Sequence, residues 1–151
     1  MGEHTIAGRI HMKRLVILAI VAFTFVLTAS STMTYAQATF KIPFKFEAGG
    51  KKFPAGEYWV AQKAEAKLII RHEPNGEEVL IPFIQRLPQP KPSIQEPQLV
   101  FDEVGNFEPS YTEYMTDYVL AEVWLTGEDG FLIHTTKGAH KHQVIKGLRK
   151  K

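Results

Sequence analysis

The sequence predicts an all-β fold: a single antiparallel β-sandwich or small barrel of about seven strands, behind a cleaved N-terminal signal helix. Three observations predict it. Short segments alternate apolar and polar residues, as strands with one buried face do. The 11 glycines and 9 prolines of the 151-residue chain punctuate these segments. A basic and then apolar stretch near the N-terminus is typical of an export signal.

The export signal occupies residues 1–38. Met12-Lys13-Arg14 precedes the apolar run 15–29, and the small-x-small sequence Ala36-Gln37-Ala38 follows. The run is shorter than the ~18 residues that span a bilayer comfortably. We therefore expect translation to start at Met12 and cleavage to follow Ala38, with a leader retained as an anchor as the alternative. The product is expected to be periplasmic or extracellular, with no stable membrane span.

Charge and composition argue against several classes of partner and site in the mature domain. The chain carries a formal charge of +2, but three of its 18 Lys/Arg and one of its 16 Asp/Glu precede Thr39, which leaves 15 of each. A neutral domain argues against a nucleic-acid partner. The absence of cysteine excludes disulfides, thiol nucleophiles and thiolate metal sites. Residues 39–151 are predicted to form one β-domain held together by its core.

The first predicted strand is "TFKIPFKF", residues 39–46, in which Phe and Ile alternate strictly with Lys and Pro. Because Pro43 lacks an N–H group, the strand is expected at a sheet edge. Signal cleavage would free this edge, so strand 39–46 is also a candidate surface for self-association.

The middle of the chain supplies further strands. Residues 57–63, "EYWVAQK", and 67–73, "KLIIRHE", are interpreted as the next strands, and "PNGE" at 74–77 predicts a hairpin. Residues 78–86, apolar on both faces, are interpreted as a strand sandwiched inside the fold. Residues 87–97 carry four prolines and are expected to run as an extended crossover within the domain.

The last part of the chain contains one ambiguous segment. Ser110 and Glu113 have capping-box spacing, which predicts a turn or two of helix before the next strand, with an extended chain over 110–118 as the alternative. "TGEDG" at 126–130 predicts a hairpin. The remaining strands are expected at 98–104, 118–125, 131–136 and 141–147.

The segments "TFKIPFKFEAGGKKFPAGEYWV", "LVFDEVGN" and "YVLAEVWLTGEDG" together resemble a family of small exported β-strand-rich proteins of soil bacteria. The resemblance covers most of residues 39–130. It implies exported β-structure, and because the family has no assigned activity it implies no functional residue. The proline-rich stretch 87–97 and the His/Lys-rich ending depart from the family pattern.

The basic tail, residues 137–151, holds six Lys/Arg and no acid, whereas residues 96–129 hold nine acids and no Lys/Arg. We expect the tail to lie along the acidic strands of its own domain, as the closing edge of the fold with a frayed cationic end. His140 and His142 share a face if they lie on a strand, and His134 could join them to hold a metal ion. In the alternative interpretation, His140 and His142 are solvated loop residues beside lysines.

Patterns typical of catalysis are missing from the sequence. Ser93 and Ser110 lack a nucleophile-elbow context, and Asp102 and Glu103 are neighbours on a strand, so their carboxylates point to opposite faces. We therefore predict a non-enzymatic exported domain that binds an envelope protein or a glycan, or is structural in the cell envelope, with no catalytic, cofactor-binding or metal residues and no cofactor.

Two alternatives stay open. The first is a small metal- or ligand-binding β-barrel that uses His134, His140 and His142. The second is a carbohydrate-binding module whose aromatic platform is built from Trp59, Trp124 and the tyrosines at 58, 111, 114 and 118.

Overall fold

A computed structural model describes residues 35–64, 67–106 and 115–150, and every regular element within those ranges is a β-strand. The strands form two sheets that pack face to face. The all-β sandwich predicted from the sequence is therefore confirmed.

The first sheet is fully antiparallel and has five strands, in the order β12-β1-β4-β5-β6. Its turns follow the sequence signals: residues 73–75 form the turn between β5 and β6, and the amide of Gly76 donates to the carbonyl of His72. The strands are β1 (Gln37–Ile42), β4 (Gly56–Ala64), β5 (Lys67–His72), β6 (Glu78–Pro82) and β12 (Leu148–Arg149).

The second sheet has seven strands, and five of them follow the order β11-β8-β9-β10-β7. Strand β2 joins β9 through a single parallel pair, Glu47 with Val119, and β3 pairs with β2. The strands are β2 (Phe46–Ala48), β3 (Lys51–Phe53), β7 (Gln85–Leu87), β8 (Gln98–Asn106), β9 (Met115–Trp124), β10 (Gly130–Leu132) and β11 (Lys141–Lys146).

The core lies between the sheets and is built from alternate residues of both. Phe40 and Tyr58 enter it from the first sheet, and Phe101 and Phe131 from the second. The ring of Phe46 joins the two layers, because its centroid lies 5.2 Å from that of Tyr58 and 5.3 Å from that of Phe101, both edge to face. Such pairs add about 0.5–1.5 kcal/mol beyond the burial of their surface.

Seven strands of the described residues have five residues or more: β1, β4, β5, β6, β8, β9 and β11. The other five are two or three residues long, and alternation over so short a span leaves no clear pattern. The strand predicted at 131–136 is shorter than expected, because β10 ends at Leu132.

The prediction of one sandwiched strand at 78–86 is wrong. The segment breaks after Pro82 into β6 and β7, which belong to different sheets. Strand β6 is the edge of the first sheet, and Leu80 and Ile84 are exposed. Apolar residues on both faces therefore reflect an exposed edge and not double burial.

The prediction of one edge strand at 39–46 is also wrong in extent. Strand β1 ends at Ile42, and Phe46 begins β2 in the other sheet, so Pro43 lies in the connection. Strand β1 is paired on both sides at Ala38 and Thr39, with β4 and β12. The helix expected from Ser110 falls mostly on 107–114, outside the described residues, but Met115 to Tyr118 are already in β9.

Two connections carry the tail across the molecule. Because β8 and β9 lie between β10 and β11 in the sheet order, residues 133–140 must pass both strands to reach β11. Gly147 then leads from β11 in the second sheet to β12 in the first, and its amide donates to the carbonyl of Pro97. The tail thus supplies an edge strand to each sheet, β11 to the second and β12 to the first.

Candidate metal centre

Asp102 is a buried carboxylate in the middle of β8. Alternation along the strand directs Phe101 into the core and Asp102 to the outer face of the sheet. An outer-face carboxylate is normally solvated, yet only 3% of the Asp102 side chain is exposed. Burying an ionised carboxylate costs several kcal/mol unless partners compensate it. The surroundings of Asp102 must therefore supply positive charge or strong hydrogen bonds.

His142 is the first of these partners. Strands β8 and β11 are antiparallel, and their register sets His142 directly opposite Asp102. Residues opposite each other in such a pair project from the same face. The Nδ1 atom of His142 lies 2.8 Å from Oδ1 of Asp102, which is hydrogen-bond distance.

His140 is the second partner, and it precedes β11 by one residue. Its Nδ1 atom lies 2.8 Å from the backbone oxygen of Gly138, and its Nε2 atom lies 3.4 Å from Oδ1 of Asp102. The chain bends at Gly138, whose φ of +87° is a conformation that side-chain-bearing residues rarely adopt. This bend places the carbonyl where it can orient the imidazole.

The contact to Gly138 fixes which nitrogen of His140 carries hydrogen. A carbonyl oxygen only accepts, so Nδ1 must donate, and a neutral His140 then presents the lone pair of Nε2 to Asp102. A lone pair facing a carboxylate oxygen is repulsive unless a proton or a metal ion lies between them. A histidine that donates its second nitrogen to a backbone carbonyl is also the usual arrangement of a metal ligand.

The two imidazoles and the carboxylate thus converge. The ring centroids of His140 and His142 are 4.8 Å apart with an interplanar angle of 83°. One candidate ligand atom from each of Asp102, His140 and His142 can be chosen so that all three lie within 4.8 Å of one another. Ligands of a tetrahedral Zn²⁺ at about 2.0–2.1 Å lie about 3.3 Å apart, so small side-chain rotations suffice to bind an ion.

Exposure increases in steps across the cluster, from 3% for Asp102 to 19% for His140 and 55% for His142. The carboxylate therefore forms the base of the site, and the histidines form its solvent-facing side. An ion can enter from solvent without any opening of the sheet, and the exposed side leaves room for a water or a ligand from another molecule.

The lysines of the basic tail repel a cation in the cluster less strongly than their number suggests. Lys141 lies between the two histidines in sequence, but it is opposite Glu103 in the register and shares the other face with it. Lys146 pairs with Glu96 at 2.8 Å, a contact that raises the pKa of the Lys146 ammonium through hydrogen bonding and charge attraction. The basic tail and the acidic strand β8 are therefore neighbours, as expected.

The structure separates the three histidines of the sequence hypothesis. His140 and His142 meet, whereas His134 is exposed and lies outside the cluster, with its amide bonded to the carbonyl of Ala121. The third member is Asp102, which the sequence pattern marked only as a neighbour of Glu103. The expected opposite orientation of those two carboxylates agrees with the register, and it places Asp102 alone on the histidine face.

The aromatic residues give little support to a glycan platform. Tyr58 and Trp124 are buried, so neither ring is free to stack on a ligand. Trp59 is half-buried beneath the guanidinium of Arg71, whose central carbon lies 4.5 Å from the ring centroid. Tyr118 stacks on Phe44 with centroids 3.8 Å apart. Tyr111 and Tyr114 lie outside the described residues.

Comparison with known proteins gives no assignment: no protein-family model, curated protein or solved structure matches this chain. Within the part of the chain that the structure describes, no helix has the length and apolar character needed to cross a membrane.

Proposed function

We propose that this protein is an exported β-sandwich domain that binds a divalent transition-metal ion through Asp102, His140 and His142. One observation carries the proposal: a nitrogen of each histidine approaches the same oxygen of a carboxylate that is almost fully buried. A metal ion bound there neutralises the carboxylate and takes the position between Nε2 of His140 and Oδ1 of Asp102.

The donor set indicates the class of metal. Two imidazole nitrogens and one carboxylate oxygen suit Zn²⁺, Cu²⁺ or Ni²⁺ better than Ca²⁺ or Mg²⁺, which prefer oxygen ligands throughout. The chain has no cysteine to favour a softer ion such as Cu⁺. Three protein ligands leave a coordination position open on the exposed side of His142.

The proposed role is binding or structural, in the periplasm or outside the cell. Support for export comes from the basic and apolar leader pattern and from the resemblance of residues 39–130 to exported β-proteins. Support for a non-enzymatic role comes from Ser93, which lies exposed in the proline-rich crossover, where its hydroxyl accepts from the side-chain Nε2 of Gln95. A structural role for the ion is also consistent with the site, because the ion would join β8 to β11 at the edge of the sheet.

Isothermal titration of the chelator-stripped protein with Zn²⁺ tests the proposal. We expect one ion per chain with a Kd of about 1 μM or tighter, and at least a tenfold weaker Kd for His140→Gln, which loses a ligand. His134→Gln is the matched control, since it removes an exposed imidazole outside the cluster and should bind as the unaltered protein does. Absence of binding, or equal loss in both variants, would overturn the proposal.

A further inference from the structure

The first two residues of β1 are part of the sandwich. Gln37 and Ala38 pair with Ala61 and Val60 of β4, and Ala38 also pairs with Arg149 of β12. The side chain of Ala38 belongs to the hydrophobic core, where the residue is 1% exposed. The folded domain therefore begins at or before Gln37.

Gln37 is also tied to its surroundings by hydrogen bonds. The indole Nε1–H of Trp59 donates to its side-chain oxygen at 3.2 Å. The amide of Lys150 approaches its backbone oxygen at 3.4 Å, next to the short pairing between β1 and β12. Gln37 and Ala38 thus help to hold the C-terminal strand on the first sheet.

The small-x-small pattern required by a signal peptidase occurs twice between the apolar run and Thr39 with alanine as its last residue. It fits Thr34-Tyr35-Ala36 as well as the overlapping Ala36-Gln37-Ala38. Cleavage after Ala38 would remove both residues and would leave a charged ammonium at Thr39 between β4 and β12. Cleavage after Ala36 would keep both residues and place the new ammonium at the end of the strand.

We propose that the mature protein begins at Gln37, because the signal peptidase hydrolyses the bond between Ala36 and Gln37. In this step water supplies a hydroxyl to the carbonyl carbon of Ala36 and a hydrogen to the nitrogen of Gln37. The inference depends on the proposed export of the protein, and it moves the boundary two residues before the one expected from the sequence.

The test is the intact mass of the full chain after expression in an exporting bacterial host. We expect the mass of residues 37–151, or that mass less one ammonia, since an N-terminal glutamine cyclises. A product lighter by one Gln and one Ala residue overturns the inference and leaves export standing. An uncleaved chain overturns export as well.

Two matched variants locate the cut independently. Thr34→Lys changes the small residue that the Ala36 site requires, but it lies outside the pattern of the Ala38 site, so we expect it to abolish the product that begins at Gln37 and to leave either the uncleaved chain or a product cut after Ala38. Tyr35→Lys adds the same charge at the unselective middle position, and it should be processed as the unaltered chain is. A Thr34→Lys product of the same length as that of the unaltered chain would contradict the inference.

Discussion

Replacing Asp102 by Asn tests the role of the buried carboxylate most sharply. The substitution conserves shape and removes the negative charge that both histidines face. Without metal, the charge-assisted bond from His142, worth about 1.5–3 kcal/mol, becomes a neutral one worth about 0.5–1.5 kcal/mol. This loss of about 1 kcal/mol is offset by the lower cost of burying a neutral amide and by relief of the repulsion with Nε2 of His140, so we expect the Tm of metal-free Asp102→Asn to lie within about 4 °C of that of the unaltered protein.

The larger effect is on the response to metal. An ion at 100 times its Kd that binds only the folded state stabilises it by about 2.7 kcal/mol. A domain of about 110 residues unfolds with an entropy near 0.24 kcal/mol/K, so the melting temperature should rise by about 10 °C. If loss of the carboxylate weakens binding about a hundredfold, the same metal concentration gives about 0.4 kcal/mol, or about 2 °C.

The assay is a melting curve with and without Zn²⁺, followed by circular dichroism. Glu103→Gln is the matched control: it makes the same change of charge on the next residue of β8, opposite Lys141 on the other face. We expect Glu103→Gln to keep the full shift. A full shift in Asp102→Asn, or a comparable loss in Glu103→Gln, would refute the assignment of Asp102 as a ligand.

Two further predictions concern the fold. A Cβ added at Gly147 would lie 2.4 Å from a ring carbon of Phe40, so Gly147→Ala should lower the free energy of unfolding in denaturant by about 1–3 kcal/mol. Gly105→Ala is the control, because its Cβ meets nothing within 4 Å. Equal losses in the two variants would contradict the packing of Gly147 on Phe40. Burial raises the pKa of the Tyr58 phenol above 10.0, so its contribution to stability is fully present below pH 10.0 and is lost as the pH rises through the folded value. As the pH is raised above 10.0, the melting temperature should fall more steeply for the unaltered protein than for Tyr58→Phe. The same dependence on pH in both proteins would contradict a buried phenol.

The β-sandwich could be predicted from sequence because short segments of the chain carry the patterns that specify its strands and turns. The apolar segments on either side of the "PNGE" turn at 74–77 specify the β5–β6 hairpin without reference to the rest of the chain. The predictions failed where the position of a segment in the sheet determines which of its residues are buried. Leu80 and Ile84 are apolar and exposed because their segment lies at the edges, which no local pattern reveals.

The candidate site could be predicted only in part, for the same reason. The His140-x-His142 spacing indicated two imidazoles on one face. The carboxylate that completes the cluster is 40 residues from His142 in sequence, and it is opposite that histidine only because the tail returns to β8. An Asp with an apolar residue two positions away on each side, in an acidic strand, together with a His-rich basic tail, is the sequence signal that could have suggested the pairing.

The most direct test of metal binding is anomalous diffraction at the zinc edge from crystals of the protein grown with Zn²⁺. We predict one strong peak about 2.0–2.2 Å from an Asp102 carboxylate oxygen, Nε2 of His140 and a ring nitrogen of His142. A peak at the exposed His134 instead, or no peak between β8 and β11, would contradict the account.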